Sequence, residues 1–354
     1  MPALVVHAGP RAREHLRQHG LRAADVRVIA AAAGGPKGLV LNPLDRFVLG
    51  RWLEGAQPVH LLGASIGAWR MAVACATDPA AALAELAEDY VEQRYEHAPG
   101  RAPTPQHVSE VFARCVGERV GARAAELLAH PTRRLHVFTS RGRHLLGREG
   151  RVRTPLGYLG AFMANAVSRR ALGGWMERVV FADPRDALPF PLDDFPTAQV
   201  PLVPGNLAGA VLASCSIPFW MRAVNDIPGG PACAYWDGGI TDYHLHLDYA
   251  AMAEGLVLYP HFGPHIVPGW LDKGLRHRHR ASPRLANVVV LSPHPDWVRT
   301  LPQGKLPDRA DFKAWGDDHD GRRRAWRRAL AESERLADEF AQLAGRPLEA
   351  QPLP

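Results

Sequence analysis

Gly63-Ala64-Ser65-Ile66-Gly67 follows the apolar run Val59-His60-Leu61-Leu62 and precedes Ala68-Trp69-Arg70-Met71-Ala72-Val73. The first run has strand character and the second has helix character, so the serine falls on a strand-to-helix turn. A turn this sharp needs flanking residues without bulk, and Gly63 and Gly67 meet that need. It pushes the hydroxyl into the open at the start of a helix, where unpaired amides and the positive end of the dipole favour a developing negative charge. The pattern is that of a nucleophile elbow.

Two other motifs lie in order along the chain. Residues 26–33 (VRVIAAAA) read as a buried strand that runs into Gly34-Gly35-Pro36-Lys37-Gly38. Proline suits the first turn of a helix, so a helix is expected from Gly35 or Pro36. The amides of Gly34 and Gly35 are then candidate oxyanion donors, with Lys37 adding positive charge. A phosphate loop of the Walker type requires Ser or Thr after the lysine, and Gly38 stands there instead. Far downstream, Tyr235-Trp236-Asp237-Gly238-Gly239 sets a carboxylate on a glycine turn behind two aromatic residues.

These three motifs, with Ala213-Ser214-Cys215-Ser216-Ile217-Pro218, resemble the patatin-like phospholipase family over residues 26–291. Residues 34–38 are similar to that family's G-G-x-[RK]-G loop, residues 63–67 to its G-x-S-x-G, residues 213–218 to its A-S-x-x-x-P and residues 237–239 to its D-G-[GA]. The resemblance implies a Ser–Asp dyad with Ser65 as nucleophile and Asp237 as base. It also implies an oxyanion hole at Gly34, Gly35 and Lys37, an elbow framed by Gly63 and Gly67, and a base turn formed by Gly238 and Gly239. Two departures bear on loop geometry. Ala33 stands where the family commonly has another glycine, and Lys37 stands where arginine is more usual. An aspartate base acting on a serine near neutral pH must be raised in basicity by burial, for which Tyr235 and Trp236 are candidates.

Two other chemistries compete. An α/β-hydrolase triad runs Ser, acid, His, and His261, His265 and His294 all follow Asp237. The elbow, however, comes after only two strands and no HGGG loop is present. Asp242, His244, His246 and Asp248 alternate with Tyr243, Leu245, Leu247 and Tyr249, so a strand there would line up four metal-ligand types. The acyl-hydrolase chemistry needs no cofactor and no metal.

Composition agrees with a soluble enzyme: 354 residues, 47% hydrophobic and 22% charged. The cysteines Cys75, Cys115, Cys215 and Cys233 are widely spaced without a C-x-x-C, as free thiols are. No secretory leader is evident after Met1, and no uninterrupted apolar run is long enough to cross a bilayer, so a cytoplasmic protein is expected. Helices are expected at 11–19, from 39, from 68, at 80–95, 109–128, 155–171 and 206–214. Strands are expected at 26–33, 59–62, 135–140, 178–181 and 286–291, with 183–204 irregular. Residues 155–171 are apolar and form either a core helix or one that covers an acyl site. The pattern gives an α/β class, a three-layer α/β/α fold with a mostly parallel central sheet. A hydrolase domain over residues 1–300 is followed by a charged helical extension over 301–354, in which 322–344 begins with arginines and ends acidic.

The formal charge of +6 and the basic clusters at 276–280 and 322–328 suit peripheral contact with an anionic membrane surface. No nucleic-acid reader motif accompanies them. The function expected is hydrolysis of lipid carboxylic esters. An acyltransferase or thioesterase using the same dyad, or a non-catalytic lipid-binding protein of this fold, are the alternatives.

Overall fold

The computed structural model describes residues 1–55, 57–97 and 101–354. Its strands in chain order are β1 (Leu4–Ala8), β2 (Val26–Ala31), β3 (Val59–Ala64), β4 (Arg133–Gly142), β5 (Met176–Ala182), β6 (Thr197–Pro201), β7 (Val224–Asn225), β8 (Ala234–Trp236), β9 (Leu256–Pro260), β10 (Val288–Pro293) and β11 (Gln351–Pro352). The sheet runs β11-β1-β10-β9-β2-β3-β4-β5-β6, and β8 adds to β4 with β7 beside it. From β10 to β4 every pairing is parallel. The α/β class with a mostly parallel central sheet is the one the motifs imply.

The apolar runs are continuous rather than alternating because both faces of this sheet are covered. Ile29, Ala31, Leu61, Leu258, Val289 and Leu291 point into one core. Their neighbours Val28, Ala30, Leu62, Val257, Val288 and Val290 point into a second. The first core is closed by helices: α1 (Pro10–His19), α2 (Asn42–Phe47), α3 (Ile66–Val73), α4 (Pro79–Glu92), α5 (Pro105–Val116) and α6 (Ala124–Leu128). Beyond β4 come α7 (Arg153–Val167), α8 (Arg169–Leu172), α9 (Pro204–Cys215) and the single turn α10 (Gly239–Asp242). The second core is roofed by the segment that holds Tyr243, Leu245, Leu247 and Tyr249.

Several expectations need correction. The helix after the glycine loop does start at Gly35, but its first seven residues, Gly35–Leu41, are wound as a 3-10 helix before α2. Residues 183–204 are not wholly irregular, since β6 lies among them and forms the outer strand beside β5. Residues 109–128 break into α5, a π turn over Gly117–Gly121 and α6. The alternating segment 242–248 is no strand: Asp242 ends α10, and its carboxylate is taken by the buried guanidinium of Arg178. Among the described residues no group of three His, Cys, Asp or Glu side chains is placed to hold a metal.

The last sixty residues carry α11 (Pro295–Thr300), α12 (Ala310–Trp315), α13 (His319–Glu332) and α14 (Glu334–Leu343). The charged stretch 322–344 is therefore two helices parted at Ser333. They pack against the rest of the chain. Phe340 makes edge contacts with Phe47 and Trp52, Trp326 stacks on Tyr90, and Glu339 accepts from the N–H groups of Ala3 and Leu4. The arginine run is not one solvated face. Arg322 is buried against the rings of Phe312 and Trp326, while Arg323 and Arg327 pair with Glu92 and Glu88 of α4.

Candidate active site

Parallel strands end together at one edge of the sheet, the edge at which such folds bind ligands. Ala31 of β2 lies level with Gly63 of β3, and Gly63 with Val137 of β4. The loop after β2 and the elbow after β3 thus emerge side by side. Ser140 of β4 is level with Trp236 of β8, so the residue after Trp236, Asp237, arrives at the same edge. Register alone brings the three distant motifs together.

The elbow is as sharp as its sequence requires. Ser65 has φ 55° and ψ −128°, a strained backbone for a residue with a side chain. A Cβ on Gly67 would come within 1.9 Å of the Ala31 carbonyl oxygen, and one on Gly63 within 2.4 Å of Ala68 Cα. The strained turn is held by Ser214 of α9. Its Oγ accepts from the Ser65 N–H at 2.8 Å and donates to the Phe138 carbonyl at 2.6 Å.

Ser65 Oγ donates to Asp237 Oδ2 at 2.7 Å, and the other carboxylate oxygen accepts from the Gly239 N–H at 2.7 Å. Asp237 is fixed through its backbone as well. Its N–H donates to the Ser216 carbonyl, and its carbonyl accepts from Ser140 Oγ at 2.9 Å. Gly238 needs to be glycine, because a Cβ there would lie 2.0 Å from the Phe138 carbonyl oxygen. Ser65 and Asp237 are only 3% and 6% exposed. Burial raises the Asp237 carboxyl above the ordinary carboxylate range, against the opposing pull of Arg309 and of the Ser65 and Gly239 hydrogen bonds. Trp236 and Tyr235 are wholly buried beside it.

The glycine loop completes the same cavity. Gly34 caps and Gly35 opens the first helical turn, where N–H groups have no intrahelical acceptor. Gly35 has φ +58°, and a Cβ on Gly34 would lie 2.4 Å from the ring of Phe262. The methyl group at Ala33 is accommodated without a positive φ, because glycine at 239 leaves room for it. A cavity of about 280 Å³ is lined by Gly34, Lys37, Ser65, Asp237, Lys273 and Arg309 among others. A smaller pocket of about 30 Å³ also reaches Ser65, with Tyr95, Phe112, Trp220 and Met221 in its wall.

Lys273 and Arg309 escaped the sequence reading, because neither sits in a recognisable motif. Together with Lys37 they bring three cations to one cavity, and none of the three makes an ion pair or hydrogen bond with a protein group among the described residues. Lys37 Nζ lies 5.1 Å from the centre of the Phe262 ring, and Lys273 Nζ lies 4.2 Å from that of Tyr243. Lys273 is exposed along much of its length. Its ammonium nonetheless leans on rings at the rim, and the resulting loss of solvation, followed by the repulsion of Arg309 and Lys37, pushes its pKa down to about 8.

The candidate histidines stand elsewhere. His261 is tied to Gly263, His294 caps α11 through the Asp296 N–H, and His265 meets His244 only through its backbone carbonyl. None hydrogen-bonds Ser65 or Asp237, so the His-containing triad is not formed. His244 is likewise turned to the backbone of Val267, and among the described residues no metal-holding group gathers around it.

Comparison with protein-family models matches residues 29–245 to the patatin-like phospholipase family. The chain belongs to that family, and is in general terms a lipid acyl hydrolase whose substrate class is lipid. No curated protein matches it significantly. Lys273 and Arg309 both lie outside the matched segment.

Proposed function

We propose that the protein cleaves carboxylic esters of lipids through Ser65 and Asp237, the observation carrying this being the 2.7 Å hydrogen bond between them at a strained elbow beside the glycine loop. Ser65 Oγ attacks the ester carbonyl carbon while Asp237 takes its proton. The carbonyl oxygen becomes an oxyanion, stabilised by the Gly34 and Gly35 N–H groups and the charge of Lys37. As the intermediate collapses, the C–O bond to the alcohol breaks, and the alcohol leaves with the proton held by Asp237. Water then attacks the acyl-serine, Asp237 accepts its proton and returns one to Ser65, and the carboxylic acid departs.

The two pockets that meet at Ser65 suggest how a substrate lies. The acyl chain enters the aromatic-lined pocket, and a negatively charged portion of the leaving group faces Lys37, Lys273 and Arg309. In this proposal residues 1–300 form the hydrolase domain, and the extension 301–354 packs on it and lends Arg309. Treatment with a fluorophosphonate probe followed by peptide mass spectrometry tests the chemistry. We expect one adduct, on Ser65, absent from Ser65→Ala and strongly slowed in Asp237→Asn. A folded wild-type protein that takes up no probe, or labels equally well in Asp237→Asn, would sink the dyad.

A further inference from the structure

Helix α7 is built inside out. Its buried positions are Thr154, Gly157, Tyr158, Ala161 and Asn165, mostly small, and they fit closely: a Cβ on Gly157 would come within 2.6 Å of the Leu146 side chain. The large apolar residues face outward. Val152, Leu156, Leu159, Met163 and Val167 follow one another at intervals of three and four, so they form one stripe along the helix. Val152 is 68% exposed, Met163 59% and Val167 81%, and Phe162 widens the stripe. Leu145 continues the exposed surface from the turn that packs on α7, and Phe219 joins it through an edge contact with Tyr158. Eight of the ten large apolar side chains exposed among the described residues thus belong to this one patch. Soluble proteins seldom leave so much contiguous apolar surface uncovered without a partner for it.

The surroundings of the patch are basic. Arg148, Arg151 and Arg153 are exposed at the start of α7 and Arg170 beyond its end. Arg278, from the basic cluster 276–280, reaches the Ala166 carbonyl at 3.5 Å. No Asp or Glu occurs between Glu149 and Glu177. The patch also abuts the catalytic cavity, since Phe219 directly follows Ile217 and Pro218, which line it. With 15 residues the helix is about 22 Å long. No helix among the described residues is long and apolar enough to cross a membrane.

We infer that the outward face of α7, with Leu145 and Phe219, is a docking surface for an anionic lipid bilayer. The helix lies in the plane of the interface with its apolar stripe among the acyl chains, and the arginines at its ends meet the headgroups. A basic rim selects a negatively charged surface, and the apolar stripe supplies the area to bury. Docking in this pose puts the mouth of the cavity at the interface, so a lipid reaches Ser65 without crossing water. The inference concerns binding and does not rest on the dyad.

The test is vesicle co-sedimentation of the full-length chain carrying Ser65→Ala, so that lipid turnover cannot alter the vesicles. Phosphatidylcholine vesicles are compared with vesicles containing about one third phosphatidylglycerol. We expect binding that is stronger on the anionic vesicles. Leu159→Ser with Phe162→Ser and Met163→Ser should weaken it about tenfold or more. Arg151→Gln with Arg153→Gln and Arg170→Gln should reduce anionic binding toward the level on phosphatidylcholine. Labelling of Ser65 by a soluble probe, measured in the otherwise wild-type chain, should be unchanged by either set and serves as the check of folding. Absent binding to anionic vesicles, or binding untouched by the triple serine substitution, would overturn the inference. So would a dimer, seen by light scattering, that the same substitution turns into monomer, because a second copy would then cover this face.

Discussion

Ser214 offers the sharpest measure of how the elbow is held. It is wholly buried, and its hydroxyl bridges the Ser65 N–H and the Phe138 carbonyl. In Ser214→Ala the Ser65 N–H loses its acceptor in a place closed to solvent, a loss of about 1–3 kcal/mol for a buried orphan donor. The Phe138 carbonyl loses a partner as well, adding about 0.5–1.5 kcal/mol. The surroundings cannot relax far, since a Cβ on Gly238 would already lie 3.0 Å from Ser214 Oγ. The sum, about 1.5–4.5 kcal/mol, is a large part of the 5–15 or so that holds a typical domain together. Denaturant titrations of wild type and variant should give a lowered midpoint at nearly unchanged slope. The freed amide also lets Ser65 leave its positive φ, so labelling by a fluorophosphonate should slow in protein that is still folded. A stability loss under about 0.5 kcal/mol together with unchanged labelling would refute the idea that Ser214 clamps the turn.

Two further outcomes are expected. Activity on an anionic ester should be bell-shaped in pH. Asp237 must be ionised to act as base, so activity is lost as pH falls through its raised pKa, at a pH above the ordinary carboxylate range. Lys273, with its pKa lowered to about 8, gives up its charge as pH rises through that value, so its share of the affinity for the anion is lost, and Lys273→Arg should remove this alkaline limb in kcat/KM profiles. Arg178 is fully buried and bonds Asp242 at 2.6 and 2.8 Å and Asp194 at 2.7 Å. Arg178→Met takes the nearest counter-charge from both carboxylates, leaving Arg169 at 3.4 Å from Asp242 and Arg284 at 3.9 Å from Asp194, and should cost about 3–5 kcal/mol, read as a lowered thermal midpoint.

The site motifs were legible because each is a local geometric demand. Gly67 and Gly238 are glycines on account of backbone oxygens 1.9 and 2.0 Å from where a Cβ would stand, and such constraints write themselves into short stretches of sequence. The interior strands β2, β3 and β10 were legible for a similar reason, being largely apolar on both faces. Edge and short elements were not. β6 lies in a proline-rich stretch and gains its strand character only from pairing with β5, and β1 is a five-residue run whose partner lies near the far end of the chain. The alternation at 242–248 imitated a strand, but Asp242 is captured by Arg178 and the backbone instead turns, with Leu245 at φ 44°. Lys273 and Arg309 act in company with Lys37, and nothing local to either announces which cavity its side chain will reach.

The pairing of β1 also bears on the order in which the molecule can be completed during synthesis. Leu4 lies opposite Pro293, His7 lies level with Gln351, and Glu339 holds the amides of Ala3 and Leu4. β1 is therefore made long before β10, β11 and Glu339, which complete its pairing, while β2, β3 and β4 can assemble with their helices in the interval. A ribosome that stalls before residue 339 would release a chain whose catalytic edge is largely assembled, yet whose opening strand lacks its final partners. Such a product would expose a strand edge, the kind of surface that chaperones shield and that aggregates recruit. For this fold, quality control has its most informative target at the seam where β1 meets β10 and β11, far in sequence from the serine of the elbow.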